Sequence, residues 1–402
     1  MTQPLLPLDT AFTRINELAA ITKMEIRALS ADLNGRFLAE NVYAPHDVPP
    51  FHNSAVDGFA LPVAAQNGAE FNVKQYLPAG SIATNLEPNT AAQVFTGGTI
   101  PNNTAAVIMR EDTEKTASGI RLKFAAKDGA HIRTQGEDFA YNSLMFQAGQ
   151  RLDARHIAAL AVVGVSEVSI AKPLKVGVFS AGNEVQDFGT VLQDGAIHDG
   201  NRPALYGLLQ RFGMSVTDLG IVPDQPEEME SFITEQKENF DVVFASAGMS
   251  ESDTDYTANT LNRLGEMIFW QLGIKPARPV GLARFKNDHH TCYILGLPGN
   301  PASCLLAAWL IGLPLLHRLS GGIAQLPKPH YVESGFALRK KPHRREFIRV
   351  RIDQLNIAQR VLPSGSATLS SFVAADGVLD LPEGQDRLEI GDKVTYYPFT
   401  DF

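Results

Sequence analysis

Between residues 174 and 324, short apolar runs alternate with segments of helical periodicity, and this alternation constrains the fold more than any other feature of the chain. VGVF at 176–179, SVTDL at 215–219, DVVF at 241–244 and YILGL at 293–297 read as strands. Segments 202–212, 227–238 and 255–264 read as helices. Such alternation implies a parallel sheet covered by helices on both faces. Right-handed crossovers then bring the loops after the strands together at the carboxyl edge of the sheet, where ligands bind in such folds. The run LLAAWLIGLPLL at 305–316 reads as a buried helix that ends near Pro314. It is far short of the ~20 residues that span a bilayer.

The flanking segments differ in texture. The first forty residues read as helices: Asp9 and Thr10 offer caps before Phe12, Ile15, Leu18 and Ala19. A second helical pattern runs through Ile26, Leu29, Leu33, Phe37 and Leu38, until the prolines of APHDVPP break it. Residues 51–135 carry short β-type runs punctuated by Gly80, Gly97-Gly98 and Pro101-Asn102-Asn103, as an all-β insertion would. Helical spacing returns at 153–163, placed to pack on the first helices. The tail has β-rich runs such as FIRVRI at 347–352, which alternates apolar and basic residues at period two. The expected organisation is an α/β multidomain chain. It comprises a helical domain at 1–43 and 137–173, a β insertion at 44–136, an αβα three-layer domain at 174–324 and a small β domain at 325–402.

Composition narrows the function classes. Hydrophobic residues make up 44% and charged residues 20%, an ordinary globular balance that excludes disorder. The net charge of −9 argues against general nucleic-acid binding, while leaving room for a local basic pocket. Cys292 and Cys304 are the only cysteines, so neither a disulfide framework nor a Cys-rich zinc motif is available. The histidines form no HExxH pattern, and His289-His290 reads as a solvated loop rather than a ligand pair. The N-terminal residues lack the basic region of a signal peptide, and a cytoplasmic protein without membrane partners is expected.

Four loops should meet at the sheet edge: SAGNE at 180–184, the turn holding Asp224, SAGMSESDTD at 246–255 and LPGNP at 297–301. Their small residues let backbone N–H groups approach an oxyanion beside a helix N-terminus. Each alone is more often plain α/β structure. Their carboxylates, Glu184, Asp224, Glu251, Asp253 and Asp255, would hold Mg²⁺ beside a phosphate, or serve as helix N-caps, a role that suits Asp255. In KPARP, prolines bracket Lys275 and Arg278 as an oxyanion clamp. Arg344, Arg345, Arg349 and Arg351 read mostly as strand-face charges, and Asp57-Gly58 as a tight turn.

Taken jointly, PPFHNSAVDGFAL, FTGGTIP, AVIMREDT, RTQGEDF, FSAGNEV, IHDGNR, SAGMSESDTDYT, IKPARP and LPGNPAS occur in the order and spacing of one family. The chain resembles the molybdopterin molybdenumtransferase (MoeA) family, which includes the E domain of gephyrin. The resemblance implies a homodimer of four-domain subunits with a MogA-like central domain and a C-terminal β-barrel. It implies the last step of molybdenum cofactor synthesis, in which adenylylated molybdopterin and molybdate give the cofactor and AMP with Mg²⁺ assisting. It also admits the molybdopterin adenylyltransferase and molybdoenzyme chaperones as partners. Matched motif by motif, Asp57, Thr96, Glu184, Asp224 and Lys275 take catalytic roles, and Glu184, Asp224 and Asp255 handle the metal. Ser246, Gly248, Ser250, Arg278, Pro298, Pro301, Arg349 and Ser371 bind substrate, the last two as molybdate contacts, while Arg133 and Asp138 match an RxxGED motif.

The chain departs from the family pattern at named positions. His52 and Asn183 stand where the family has Asp, Ala247 and Ser252 where it has glycine, and Arg278 where it has Lys. Glu251 adds a negative charge beside an anion site. The retained set ranks an active molybdenum insertase first. The altered loop motivates a second reading, a diverged paralogue that binds molybdopterin or its carrier without turnover. A scaffold lacks any sequence feature of its own.

Overall fold

The computed structural model describes residues 5–21, 23–249, 255–363, 365 and 367–399. At its centre is a six-stranded sheet in the order Ser215–Val222, Lys175–Ala181, Val242–Ser246, Thr291–Leu297, Gly281–Lys286, Glu266–Trp270. The first four strands are parallel, Gly281–Lys286 runs antiparallel to them, and Glu266–Trp270 pairs antiparallel with it. The expected parallel sheet is therefore a mixed one. The two added strands lie outside the strand–helix alternation, since no helix separates them from each other or from Thr291–Leu297, and Glu266 and Arg284 pair across them at the solvent edge. The central strand Val242–Ser246 is buried throughout, as a strand covered on both faces must be. The crossover helices are Asn201–Arg211, Pro226–Asn239 and Tyr256–Leu264, within a residue or two of expectation.

The apolar run after LPGNP does not stop at Pro314. Helix Pro301–Ala307 passes through a π-helical turn, Ala308–Gly312, into a further helix, Leu313–Leu319. Proline lacks an N–H and crowds the carbonyl four residues back, and a widened turn just before it relieves both. Pro301–Leu319 is long and apolar enough to cross a membrane, yet it is core: Trp309, Leu310 and Leu315 are buried against Phe244 and Leu295.

The N-terminal part is mixed rather than helical. Helix Leu8–Asn16 forms, but the second helical pattern is replaced by strand Met24–Ala28, paired antiparallel with Glu167–Ala171. Met24 and Ile26 are exposed, whereas Leu33 and Leu38 are buried. Apart from a tight 3-10 turn at Ala31–Leu33, the backbone hydrogen bonds of this stretch go to residues 150–171, a tertiary pairing that overrides local helical spacing. Helix Ala154–Val162 does form, closed by a capping box between Asp153 and His156.

The insertion is a six-stranded sheet in the order Ala106–Met109, Gly58–Leu61, Thr90–Val94, Glu70–Leu77, Gly119–Leu122, Thr113–Lys115. In the tail, Arg345–Ile352, Ile357–Arg360, His330–Ser334, Lys393–Pro398 and Gly377–Leu381 close a five-stranded barrel through pairing of the last with the first. A short strand before the last part of the α/β domain, Ile274–Lys275, pairs parallel with Arg345–Glu346. That pairing fixes Lys275 against the barrel.

Candidate active site

The carboxyl ends of Lys175–Ala181, Val242–Ser246 and Thr291–Leu297 open into a cleft of about 520 Å³. Ser246, Gly248, Glu184, Asp255, Pro298 and Pro301 line it, so six of the expected residues meet there. Ser250 lies outside the described residues, as do Glu251, Ser252 and Asp253.

The floor of the cleft is held by the start of helix Asn201–Arg211. Asp199 is buried and accepts from the backbone N–H groups of Asn201 and Arg202, as an N-terminal capping carboxylate does. Arg202, also buried, donates to Asp199 at 3.0 Å and Asp218 at 2.6 Å, and pairs with Asp187. One buried guanidinium thus anchors three carboxylates and aims the helix N-terminus at the cleft. Asn201 donates from Nδ2 to Ser246 Oγ and to the Gly299 carbonyl, both at 2.7 Å, joining two loops through one side chain. The motif IHDGNR was visible in the sequence, but neither Asn201 nor Asp199 was given a role.

Beside this floor stand the carboxylates. Burial pushes the Asp224 carboxyl above the usual carboxylate range, and Glu184 and Asp255 push it the same way, against a hydrogen bond from the Asn183 N–H. The three expected metal residues therefore share one electrostatic neighbourhood. Asn183 Oδ1 accepts from the Asp224 N–H at 3.0 Å, so the amide fills the acceptor role open to the family's Asp without adding a fourth negative charge. Ala247 adopts φ +78°, a left-handed conformation that glycine adopts freely and alanine does not. Gly248 has φ +70°, and a Cβ there would overlap Thr257.

A second cleft of about 370 Å³ lies between the Lys275 strand and the barrel, lined by Lys275, Arg339, Arg344, Arg349 and Arg360 with Glu346 as its one acid among the described residues. Lys275 Nζ is 3.3 Å from Glu346, exposed while Glu346 is buried. Arg349 is buried and donates to the carbonyls of Gly365 at 2.7 Å and Thr368 at 3.1 Å. Burial lowers its guanidinium from the ordinary value. Ser371 donates to the same Thr368 carbonyl at 2.9 Å, so the two expected molybdate contacts converge on one peptide group. Arg278 is turned toward Gln271, whose Oε1 accepts from it at 2.8 Å.

The two clefts adjoin. Gly365 lines the basic one and Ala367 the acidic one, while Lys275 and Pro276 line the first and Pro279 the second. The remaining expected residues lie elsewhere. Thr96 donates from both N and Oγ1 to Asp57 Oδ1 at 2.9 Å, and Arg110 stands 3.7 Å away. These bonds, the Thr96 N–H first, hold the Asp57 carboxyl below its ordinary range. Neither residue lines either cleft of this chain. Arg133 pairs in a two-residue strand with Asn53, and the Asp138 N–H donates to the Val48 carbonyl. His52 Nδ1 accepts from the Gln135 N–H at 3.1 Å, an acceptor role an Asp could also fill.

Three family models match in sequence: the MoeA N-terminal region (domain I and II) at 6–164, a probable molybdopterin binding domain at 177–318, and the MoeA C-terminal region (domain IV) at 331–399. A molybdopterin molybdenumtransferase of Haemophilus influenzae is 32% identical, covering 98% of this chain and 99% of its own. One from Staphylococcus aureus is 28% identical, covering 97% and 94%. Among solved structures, a molybdopterin biosynthesis MoeA protein from Pyrococcus horikoshii OT3 aligns with TM-score 0.79 at 25% identity, covering 98% of this chain and all of that one. With a full-length relative at this identity and all three regions matched in order, the chain belongs to the molybdopterin molybdenumtransferase (MoeA) family.

Proposed function

We propose that the two adjoining clefts form one reaction groove, in which the acidic cleft holds the phosphate-bearing pterin and the basic cleft delivers molybdate. The chain is a transferase that inserts molybdenum in molybdenum cofactor biosynthesis. The observation that carries the finer reading is that near neighbours in the chain line the two clefts, Pro276 and Gly365 the basic one and Pro279 and Ala367 the acidic one, which sets an oxyanion beside Lys275 and Arg349 next to a ligand beside Glu184 and Asp255. Adenylylated molybdopterin and molybdate are the substrates of this reading, and the cofactor and AMP its products.

Each group then has a physical task. Lys275 and Arg349 offer fixed positive charge to a dianionic oxyanion. Glu184, Asp224 and Asp255 are three acids whose mutual repulsion a divalent cation would relieve. Among the described residues no three potential ligands stand close enough to hold a metal by themselves. That fits Mg²⁺, which keeps several waters and binds through one or two carboxylates plus substrate phosphate. When bound, the ion neutralises charge that develops on the phosphate as AMP leaves. Ser246 and Gly248, with Pro298 and Pro301, shape the wall that positions the ligand. Asp57 and Thr96 act from a second copy of the chain, whose insertion sheet faces this groove.

The test is AMP release from adenylylated molybdopterin by the purified protein, with and without molybdate and Mg²⁺. Release that depends on both is expected. Tight binding without release would replace this reading with that of a pterin binder.

A further inference from the structure

Two buried polar atoms on the floor of the acidic cleft have no hydrogen-bond partner among the described residues: Asn201 Oδ1 and Ser180 Oγ. Asn201 is 8% exposed and Ser180 2%. Buried polar atoms are paired in the great majority of cases, so an exception at a cleft calls for a partner from outside the protein, an ordered water or a ligand that displaces it. The Asn201 amide cannot simply be reversed. Its Nδ2 donates to the Gly299 carbonyl, and Oδ1 in that place would set two acceptors against each other. Oδ1 is therefore held as an acceptor, with its direction fixed by the two loops that Nδ2 bridges.

This acceptor selects among the parts of the substrate. An ionised phosphate and a molybdate dianion carry acceptors only and cannot satisfy Oδ1. A planar heterocycle with an amino group or ring N–H can, and Ser180 Oγ can either donate to or accept from such an edge. We propose that Asn201 and Ser180 form a recognition point for an N–H donor of a planar heterocycle on the substrate, separate from the carboxylates that handle its phosphate. Pterin and adenine share this chemistry. The inference rests on the reading of this cleft as the substrate cleft. Asn201 then does two things: through Nδ2 it shapes the cleft, and through Oδ1 it reads the ligand.

The test uses Ser180→Ala, which removes no internal hydrogen bond, and Asn201→Ala, with melting temperatures to show that both fold. Calorimetry measures binding of three probes in Mg²⁺: 6-hydroxymethylpterin, AMP and inorganic pyrophosphate. Each variant should weaken one of the heterocycles by about tenfold, the worth of one buried hydrogen bond, and leave pyrophosphate within about twofold. Loss of pterin affinity assigns the donor to the pterin, and loss of AMP affinity assigns it to adenine. Unchanged affinity of both heterocycles, or an equal loss for pyrophosphate, overturns the proposal. AMP release by the unmodified protein, measured in parallel, separates the two levels. Turnover with neither heterocycle affected sinks this inference alone, absence of turnover with a heterocycle weakened by both variants sinks the insertase reading alone, and neither turnover nor binding of a heterocycle sinks both.

Discussion

The sulfur of Met249 occupies the space that a Cβ on Gly296 would take, so the loop after Val242–Ser246 is seated directly on the backbone of the neighbouring strand. Met249 is buried, its methyl group lies over Gly281, and its carbonyl accepts from Trp270 Nε1 at 3.3 Å. The same loop carries Ser246 and Gly248 into the acidic cleft. Packing on the adjacent strand therefore sets the position of this loop. Gly296→Ala should overpack this contact at a cost of about 1–3 kcal/mol. The expected result is a lower melting temperature and a raised KM for the pterin substrate. A KM equal to that of the unmodified protein would separate the seat of Met249 from the site.

Ala247 offers the opposite case. At φ +78° an alanine carries roughly 1–2 kcal/mol of strain that glycine does not, while glycine's extra freedom in the unfolded chain gives back about 0.5–1 kcal/mol. Ala247→Gly, the family residue, should therefore leave a net gain of between about 0 and 1.5 kcal/mol, read as a melting point raised by up to about 3 °C. A fall in melting temperature would show that the surrounding loop has adapted to the methyl group.

Glu184, Asp255, Ser246 and the LPGNP prolines were legible because topology brings every loop that follows a parallel strand to one edge. Nothing in local pattern could single out Arg349: FIRVRI is an ordinary half-exposed strand, and the carbonyls that Arg349 holds come from Gly365 and Thr368, brought near when the barrel closes. Its role was expected from family resemblance alone. Asn201 was hidden for a similar reason, since its two acceptors lie 45 and 98 residues away. The misread stretch at 26–38 shows the limit of periodicity, because strand pairing with 167–171 outweighs helical spacing. The mixed sheet was missed because no helix separates Glu266–Trp270, Gly281–Lys286 and Thr291–Leu297, so these strands fall outside the strand–helix alternation that marks the parallel part.

Asp224 gives a pH signature. Its carboxyl is raised above the ordinary value of about 3.9 by burial and by Glu184 and Asp255. Below the unfolded value the group is protonated in both states and contributes nothing. As pH rises through the window up to the raised folded value, the folded state keeps a proton that the unfolded state loses, so stability falls with pH, and the penalty is complete above that window. Asp224→Asn removes the penalty while keeping an acceptor for the Asn183 N–H. Its melting temperature should exceed that of the unmodified protein at pH 7, with the gain shrinking to nothing as pH approaches the unfolded value, while insertase activity is lost. A gain that is independent of pH would mean that the carboxyl is not raised.

The last prediction concerns where Asp57 and Thr96 work. The pair is well built: two hydrogen bonds at 2.9 Å hold the Asp57 carboxylate ionised, and Arg110 stands beside it. Yet neither residue lines either cleft, and the sheet that carries them is an insertion with its own core. If these residues serve the groove of a second copy in a two-fold dimer, each groove needs Asp57 from one subunit and Glu184 from the other. Asp57→Ala and Glu184→Gln should each abolish insertion as pure proteins. Mixed and allowed to exchange subunits, half of the dimers become hybrids, and in each hybrid one groove is intact while the other carries both lesions. Activity should then recover to about a quarter of that of the unmodified protein. Light scattering should report a dimer throughout. Failure to recover activity, with exchange verified by mass spectrometry of the hybrids, would place Asp57 and Glu184 in the service of the same chain.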